Sequence, residues 1–285
     1  MKISYVTYSQ LWRDCLEFSA WMRRDAIVGI VSVPRSGNIP AEMIGLHLNL
    51  PVVTLPEFCE HGFTRHEGGE RFNCARPTEG VVVLLDDSIH SGSAMRRAIQ
   101  AFEARKCRGS WAYVPAAIYG SDYCEHYKVL THQTIPKPRY FAWNLFGHRE
   151  LATTAFDFDG VLCYDPPYSP GEDAAYLASL DQACPFYLPS VPIRNIVTGR
   201  LEARRAVSER WLARNGVRLL DRMHMAPFAD PDERRKYGAA RWKGETYRDL
   251  PCHLFIESHD DSAAVIARTS GKPVISMQSG AVFQH

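Results

Sequence analysis

The sequence predicts an α/β protein built as two doubly wound parallel-sheet (Rossmann-like) domains. Three observations predict it. Short apolar runs alternate along the chain with segments of helical periodicity. Several runs end in polar clusters that feed directly into a helical segment, as at the carboxyl edge of an open parallel sheet. The pattern then restarts near residue 148, after an aromatic, proline-rich stretch. A chain of 285 residues is comfortable for two domains, expected as 1–147 and 148–285.

The bulk numbers narrow the classes. A hydrophobic content of 46% and charged content of 23% is ordinary for a globular protein. A net charge of +1 gives no bulk attraction to nucleic acid or acidic membranes, so neither is expected as a partner. The eight cysteines are scattered, with no C-x-x-C pair and no zinc-like cluster. They read as free thiols of a reducing compartment, so a cytoplasmic location is expected. The first residues lack the apolar core of a signal peptide, and no apolar stretch reaches about 18 residues.

In the first half, residues 9–24 read as an amphipathic helix. Leu11, Cys15, Phe18 and Met22 share a face, and Ser9 is the candidate N-cap. Residues 26–33 form an apolar run that breaks at Pro34, Arg35, Ser36 and Gly37, a buried strand entering a loop. A helix over 39–50 and a short strand over 51–55 complete a βαβ pattern. Residues 57–78 carry Gly62, Gly68, Gly69, His61, His66, Arg65 and Arg71 with little periodicity, and read as a long binding loop or a solvated excursion. Residues 81–95 come next: an unbroken apolar strand, the acidic pair Asp86 and Asp87, a small hydroxyl-rich loop, then a helix to 106. Residues 111–119 read as another strand. Residues 121–147, rich in Tyr, Trp, Phe and Pro, resist assignment.

Strand, acidic pair, small-residue loop and helix suit a sugar phosphate. One acid can accept from vicinal ribose hydroxyls. Backbone N–H groups and the hydroxyls of Ser91 and Ser93 can hold a phosphate at the helix N-terminus, and Gly92 lets the backbone approach. These residues resemble the type I phosphoribosyltransferase signature, and residues 31–41 resemble that family's pyrophosphate loop. The resemblance spans roughly 1–147. It implies a phosphoribosyltransferase fold, with a catalytic lid at 57–78. Its substrates would be phosphoribosyl diphosphate and a nucleobase or nucleotide, with magnesium bridging the diphosphate and the substrate hydroxyls. Asp86, Asp87, Ser88, His90, Ser91, Gly92 and Ser93 would bind the ribose phosphate; Arg35, Ser36 and Gly37 would bind pyrophosphate. Members are commonly homodimers. Two residues depart from the pattern: His90 stands where Thr or a catalytic Asp is common, and Ala94 where Thr is. His90 either serves the base nitrogen as a proton acceptor or only lines the loop.

In the second half, an apolar strand begins at 152 and ends in Asp157, Phe158, Asp159 and Gly160. A short helix is expected near 172–180 and a strand over 192–197, ending at Thr198, Gly199 and Arg200. A helix over 202–215 closes at Gly216. Residues 232–250 are mostly helical and basic. A strand over 252–256 breaks at Glu257, a helix covers 262–270, and a last strand covers 272–277.

Asp157-x-Asp159-Gly160 resembles motif I of the haloacid dehalogenase-like phosphohydrolases. Thr198, Lys243, and Glu257 with Asp261 match later motifs in order. The resemblance covers about 148–285 and implies a small cap, since neither gap between motifs is large. It implies Asp157 as nucleophile and Asp159 as general acid and base. Thr198 with the Gly199 N–H would grip a phosphoryl oxygen, and Lys243 would neutralise charge. Glu257 and Asp261 would hold magnesium with Asp157 and the Asp159 carbonyl. Asp260 competes with Asp261, and Lys236 with Lys243. Glu257 stands where the family usually has Asp.

Together the two motifs imply a bifunctional enzyme. It would transfer a phosphoribosyl group to or from a base and then hydrolyse the 5′-phosphate of the nucleotide. The alternative is a phosphatase whose first domain only binds or selects nucleotides, or acts as a regulator.

Overall fold

A computed structural model describes residues 2–22, 26–63, 77–121, 128–166 and 173–284. The chain divides into two compact units, Val6–Arg139 and Met1–Tyr5 with Tyr140–His285. In chain order the elements begin with β1 (Ser4–Val6), α1 (Tyr8–Met22), β2 (Ile27–Ser32), α2 (Asn38–Leu48), β3 (Val52–Thr54) and α3 (Leu55–His61). Next come β4 (Gly80–Ser88), α4 (Ser93–Glu103), β5 (Trp111–Gly120), β6 (Leu130–Thr134) and β7 (Arg139–Phe141). The remainder comprises β8 (Thr154–Phe156), α5 (Asp173–Gln182), β9 (Asn195–Leu201), α6 (Arg205–Arg214), β10 (Met223–Ala226), α7 (Pro231–Tyr237), α8 (Ala239–Asp249), β11 (Leu254–Glu257), α9 (Asp260–Ser270), β12 (Val274–Ser276) and β13 (Val282–Phe283).

In the Val6–Arg139 unit the sheet order is β3-β2-β4-β5-β6. Every neighbouring pair is parallel. Central β4 is buried on both faces, which explains its unbroken apolar run. Leu11, Cys15, Phe18 and Met22 are the buried face of α1, as their spacing predicts. The helix is capped by Thr7, whose Oγ1 accepts from Gln10 N at 3.1 Å, and not by Ser9. The stretch expected as an irregular loop from 57 begins as α3. There Thr54 and Glu57 form a capping box and Pro56 occupies the first turn, a local signal stronger than the missing periodicity. Phe58 of that helix stacks on Phe102 of α4 at 5.1 Å. The loop residues Arg65, His66, Gly68, Gly69 and Arg71 lie outside the described residues.

In the second unit the order is β10-β9-β8-β11-β12-β13. All pairs are parallel except β12 with β13. The division between units falls after Arg139 and not at Gly147. The reason is packing. β7 pairs with β1 in a two-stranded sheet, and Ile3, Tyr140, Leu145 and Leu151 join the core of Phe156, Ile196 and Ile256. Gln284 Oε1 accepts from Ile3 N at 2.8 Å, so the first and last described strands of this unit are tied together. The mostly helical stretch expected over 232–250 comprises two helices, α7 and α8. They are separated at Gly238, whose φ of 97° is a conformation that side chains disfavour. β10 and β13 are short strands that the sequence pattern did not announce.

Among the described residues, no helix is long and apolar enough to cross a membrane. Cys15, Cys59, Cys107, Cys163, Cys184 and Cys252 are free.

Candidate functional sites

Each sheet has a switch point, where successive strands are added in opposite directions and the chain opens a crevice at the carboxyl edge. In the first unit it lies between β2 and β4: β3 is added beyond β2, while β5 and β6 are added beyond β4. The loop of Arg35, Ser36 and Gly37 follows β2, and Asp86, Asp87 and the small-residue loop lie at the end of β4. The two loops touch. Ser36 Oγ donates to Asp87 Oδ1 at 2.9 Å. Gly37 packs on the β4 backbone so closely that an added Cβ would lie 2.3 Å from Val33 O and 2.8 Å from Leu85 O. A side chain there would push the loops apart. The Pro34–Arg35 peptide is cis.

The acidic pair is buried. Burial and the Asp87 charge push the Asp86 carboxyl up to about 8. Its Oδ1 accepts from Asp87 N at 2.8 Å. Asp86 is therefore poised to hold a proton near neutrality, while Asp87 is oriented by Ser36. Beyond them Gly92 takes the left-handed conformation (φ 69°) and starts α4 with no side-chain cap. Ser91 Oγ and Ser93 Oγ, 3.0 Å apart, flank that helix start. A helix start without a side-chain cap, with two hydroxyls beside it, is the kind of place where an anion can be held. Ile89 N donates to Tyr119 O at 2.8 Å, and Arg139 Nη2 donates to Ile89 O at 2.7 Å, so the loop is anchored from β5 and from the end of the unit.

His90 is exposed and its Nε2 lies 2.7 Å from Lys137 Nζ. Burial, then Lys137 and Arg139, lower its pKa, so the imidazole is neutral and accepts from the ammonium. Lys137 was not among the residues singled out from the sequence, because it comes from the stretch that resisted assignment. Arg35 is exposed, on the rim of the crevice, and Ala94 is exposed on the first turn of α4.

In the second unit the switch point lies between β8 and β11. Asp157 follows β8, and Glu257 ends β11. Asp157 N donates to Ile256 O at 2.9 Å, which puts the two acids side by side. Lys243 from α8 lies between them, 2.7 Å from Asp157 Oδ2 and 3.0 Å from Glu257 Oε2. Lys236 lies exposed on α7. Burial works against the Lys243 ammonium, but Asp157 and Glu257 outweigh it and hold the lysine charged. Burial and Glu257 raise the Asp157 pKa against the pull of Lys243. Glu257 goes the other way: burial is overcome by Lys243 and by hydrogen bonds including that of Ser258.

Thr198 is fully buried on β9, where its Oγ1 accepts from Arg200 N at 3.1 Å. The Gly199 carbonyl accepts from Arg234 Nη1 at 2.8 Å, and a Cβ at Gly199 would come within 4.0 Å of Lys243 Cε. Asp159 is gripped by Arg200, with Nε 3.0 Å from Oδ2 and Nη2 2.5 Å from Oδ1. Arg200 is 1% exposed, lies 3.8 Å over the Phe158 ring, and donates to Ser208 Oγ at 2.9 Å. Arg200 and Arg234 were missed as site residues. A charged residue directly after a strand-end Thr-Gly pair was the signal for Arg200. Arg234 had none, since α7 was not separable from α8.

Asp261 is exposed on the first turn of α9. Asp260 accepts from Ser279 Oγ at 2.7 Å and is committed to the following turn. Asp157, Asp159, Glu257 and Asp261 do not form a group with ligand atoms all within 4.8 Å. Among the described residues only Asp14, Glu17 and His132 do. Asp14 there already accepts from Tyr119 Oη, Gln10 Nε2 and Gln133 Nε2. The donor chemistry around Asp157 nonetheless fits magnesium. Asp157 and Glu257 place hard carboxylate oxygens side by side in a buried position.

No family model matches the chain, and no curated protein does. Solved structures are similar over its N-terminal part. A Helicobacter pylori xanthine-guanine-hypoxanthine phosphoribosyltransferase is 12% identical with a TM-score of 0.36, covering 50% of this chain and 93% of that one. A purine phosphoribosyltransferase from Pyrococcus horikoshii is 18% identical with a TM-score of 0.36, covering 50% and 94%. An orotate phosphoribosyltransferase from Aeropyrum pernix is 16% identical with a TM-score of 0.31, covering 45% and 70%. At these values the likenesses carry no argument about chemistry.

Proposed function

We propose that the chain is a bifunctional enzyme. The Val6–Arg139 unit transfers a 5-phosphoribosyl group between phosphoribosyl diphosphate and a nitrogenous base, and the second unit hydrolyses the 5′-phosphate of the nucleotide. One observation carries the reading. Both acidic motifs lie at the switch point of their own parallel sheet, each with the partner loop its chemistry needs.

In the first unit, Asp87 and Asp86 accept from or share protons with the ribose hydroxyls. Ser88, Ser91, Gly92 and Ser93 hold the 5′-phosphate at the start of α4. Ser36, Gly37 and Arg35 hold the pyrophosphate that leaves as the base nitrogen bonds to the ribosyl carbon. The acidic floor stabilises the positive charge that develops there.

In the second unit, Asp157 attacks phosphorus, and the bond to the sugar oxygen breaks. Asp159, aimed by Arg200, gives that oxygen a proton. A water molecule then attacks the aspartyl phosphate while Asp159 takes its proton back, releasing inorganic phosphate. Lys243 neutralises Asp157 as the phosphate dianion approaches. Thr198 and the Gly199 N–H hold a phosphoryl oxygen. Asp157, the Asp159 carbonyl, Glu257 and Asp261 would hold magnesium, which supplies further charge neutralisation at the phosphoryl oxygens.

A second reading has its own observation. His90 Nε2 is already engaged by Lys137, which favours a first unit that binds and selects nucleotides without transferring. The experiment mixes protein, magnesium, phosphoribosyl diphosphate and a panel of bases, and follows pyrophosphate and inorganic phosphate separately. Base-dependent pyrophosphate release supports transfer. Phosphate release without any pyrophosphate favours the second reading. Undiminished phosphate release from all phosphomonoesters by Asp157→Asn sinks the phosphatase assignment.

A further inference from the structure

A cavity of about 280 Å³ opens beside the Asp157 cluster, between the loops that follow β8, β11 and β12. Its floor includes Gly160 and Ser258, the residues directly after Asp159 and Glu257. The two loops meet there: a Cβ on Gly160 would lie 2.5 Å from Ser258 Cβ. A group leaving from phosphorus at Asp157 therefore has this space next to it. Its size is just under the roughly 300–1,000 Å³ of drug-sized pockets and suits one heteroaromatic ring system.

One wall is aromatic. Tyr164 and Phe186 stack with centroids 4.4 Å apart and planes 21° from parallel. Both remain open to solvent, at 55% and 39% exposure. Phe186 packs in turn on Tyr187 at 4.0 Å, which backs the pair from the protein side. A supported, stacked pair left half exposed is a ready platform for a planar ligand. Beside Met277, the rest of the lining carries polar groups. Gln278 Oε1 accepts from Asp260 N at 3.0 Å, so the group it can present is its NH₂ donor. Asp165 presents acceptors; burial and the charge of Asp159 raise its pKa, while His259 and Lys243 lower it, so it lies within electrostatic reach of the reacting groups.

We propose that this cavity takes the heteroaromatic base of a nucleoside monophosphate, with Tyr164 and Phe186 as its stacking platform and Gln278 and Asp165 reading its edge. The proposal rests on the phosphatase reading and adds to it the place where the nucleotide's base would sit.

The test compares phosphate release by the full chain, with magnesium, from AMP, UMP and ribose 5-phosphate. Tyr164→Leu and Phe186→Leu are expected to raise KM for both nucleotides about tenfold and to leave the ribose 5-phosphate constants within about twofold. Equal effects on all three substrates, or no nucleotide preference in the parent protein, would overturn the proposal. If the parent hydrolyses none of the three, the phosphatase reading itself fails. The cavity is then judged by calorimetric titration of AMP: binding weakened by Tyr164→Leu supports the base site, and unchanged binding overturns it.

Discussion

At the scale of single residues, Asp86 makes the sharpest pH statement. Its pKa is raised on folding, so between about pH 4 and pH 8 the folded state holds a proton that the unfolded state has lost. Stability from this group is full below pH 4 and declines as pH rises toward 8. Asp86→Asn removes the titration and keeps an acceptor for Asp87 N. Its melting temperature should exceed that of the parent, by a gap that widens from pH 5 to pH 8, worth on the order of 1–3 kcal/mol. Thermal melts across that range check it, and a gap that shrinks with pH contradicts it. Arg200 gives a second prediction. Its planar fork holds both Asp159 oxygens, which a lysine cannot do. Arg200→Lys should slow hydrolysis of an alkyl phosphate about 10–100-fold and that of p-nitrophenyl phosphate far less, since only the poor leaving group needs a proton. Equal slowing of both would show that Arg200 does not act through Asp159.

At the scale of elements, most of the fold was legible. The apolar faces of α1 and α6 and the buried runs of β2, β4 and β5 follow from periodicity and β-branched content. Three kinds of feature were not. α3 was hidden because its evidence is a capping box and a proline, local chemistry that a search for periodicity passes over. The division of α7 from α8 depends on one glycine. β1, β10 and β13 are short strands whose existence depends on the neighbour that completes them, a tertiary fact. The candidate sites were legible in residue type but not in strand order. Asp157 and Glu257 are 100 positions apart, and only the β8–β11 pairing makes them neighbours. Gly37 belongs to this scale, because it sets the spacing of two loops. Gly37→Ala should cost about 1–3 kcal/mol of stability and weaken phosphoribosyl diphosphate binding, measured by chemical denaturation and calorimetry. A fully stable variant that binds normally would mean the loops can separate without consequence.

At the scale of the whole molecule, each unit carries its own candidate site, built from its own residues. Asp86→Ala/Asp87→Ala should abolish pyrophosphate release while leaving hydrolysis of an added nucleoside monophosphate within about twofold. Asp157→Asn should do the reverse. Under the proposed function, the downhill hydrolysis of the nucleotide would draw the reversible transfer toward product. His90 and Ala94 both lie in the first unit, so under the proposed function they would affect the transfer step and leave the proposed hydrolysis unchanged.

The central claim is that the two reactions run in series on one substrate. Phosphoribosyl diphosphate labelled in its 5′-phosphate tests it most directly. With magnesium and an accepted base, the parent protein should release the label as inorganic phosphate only when the base is present, and Asp157→Asn should accumulate it as labelled nucleotide. Label released at the same rate without any base, or no labelled nucleotide with Asp157→Asn, would contradict the account.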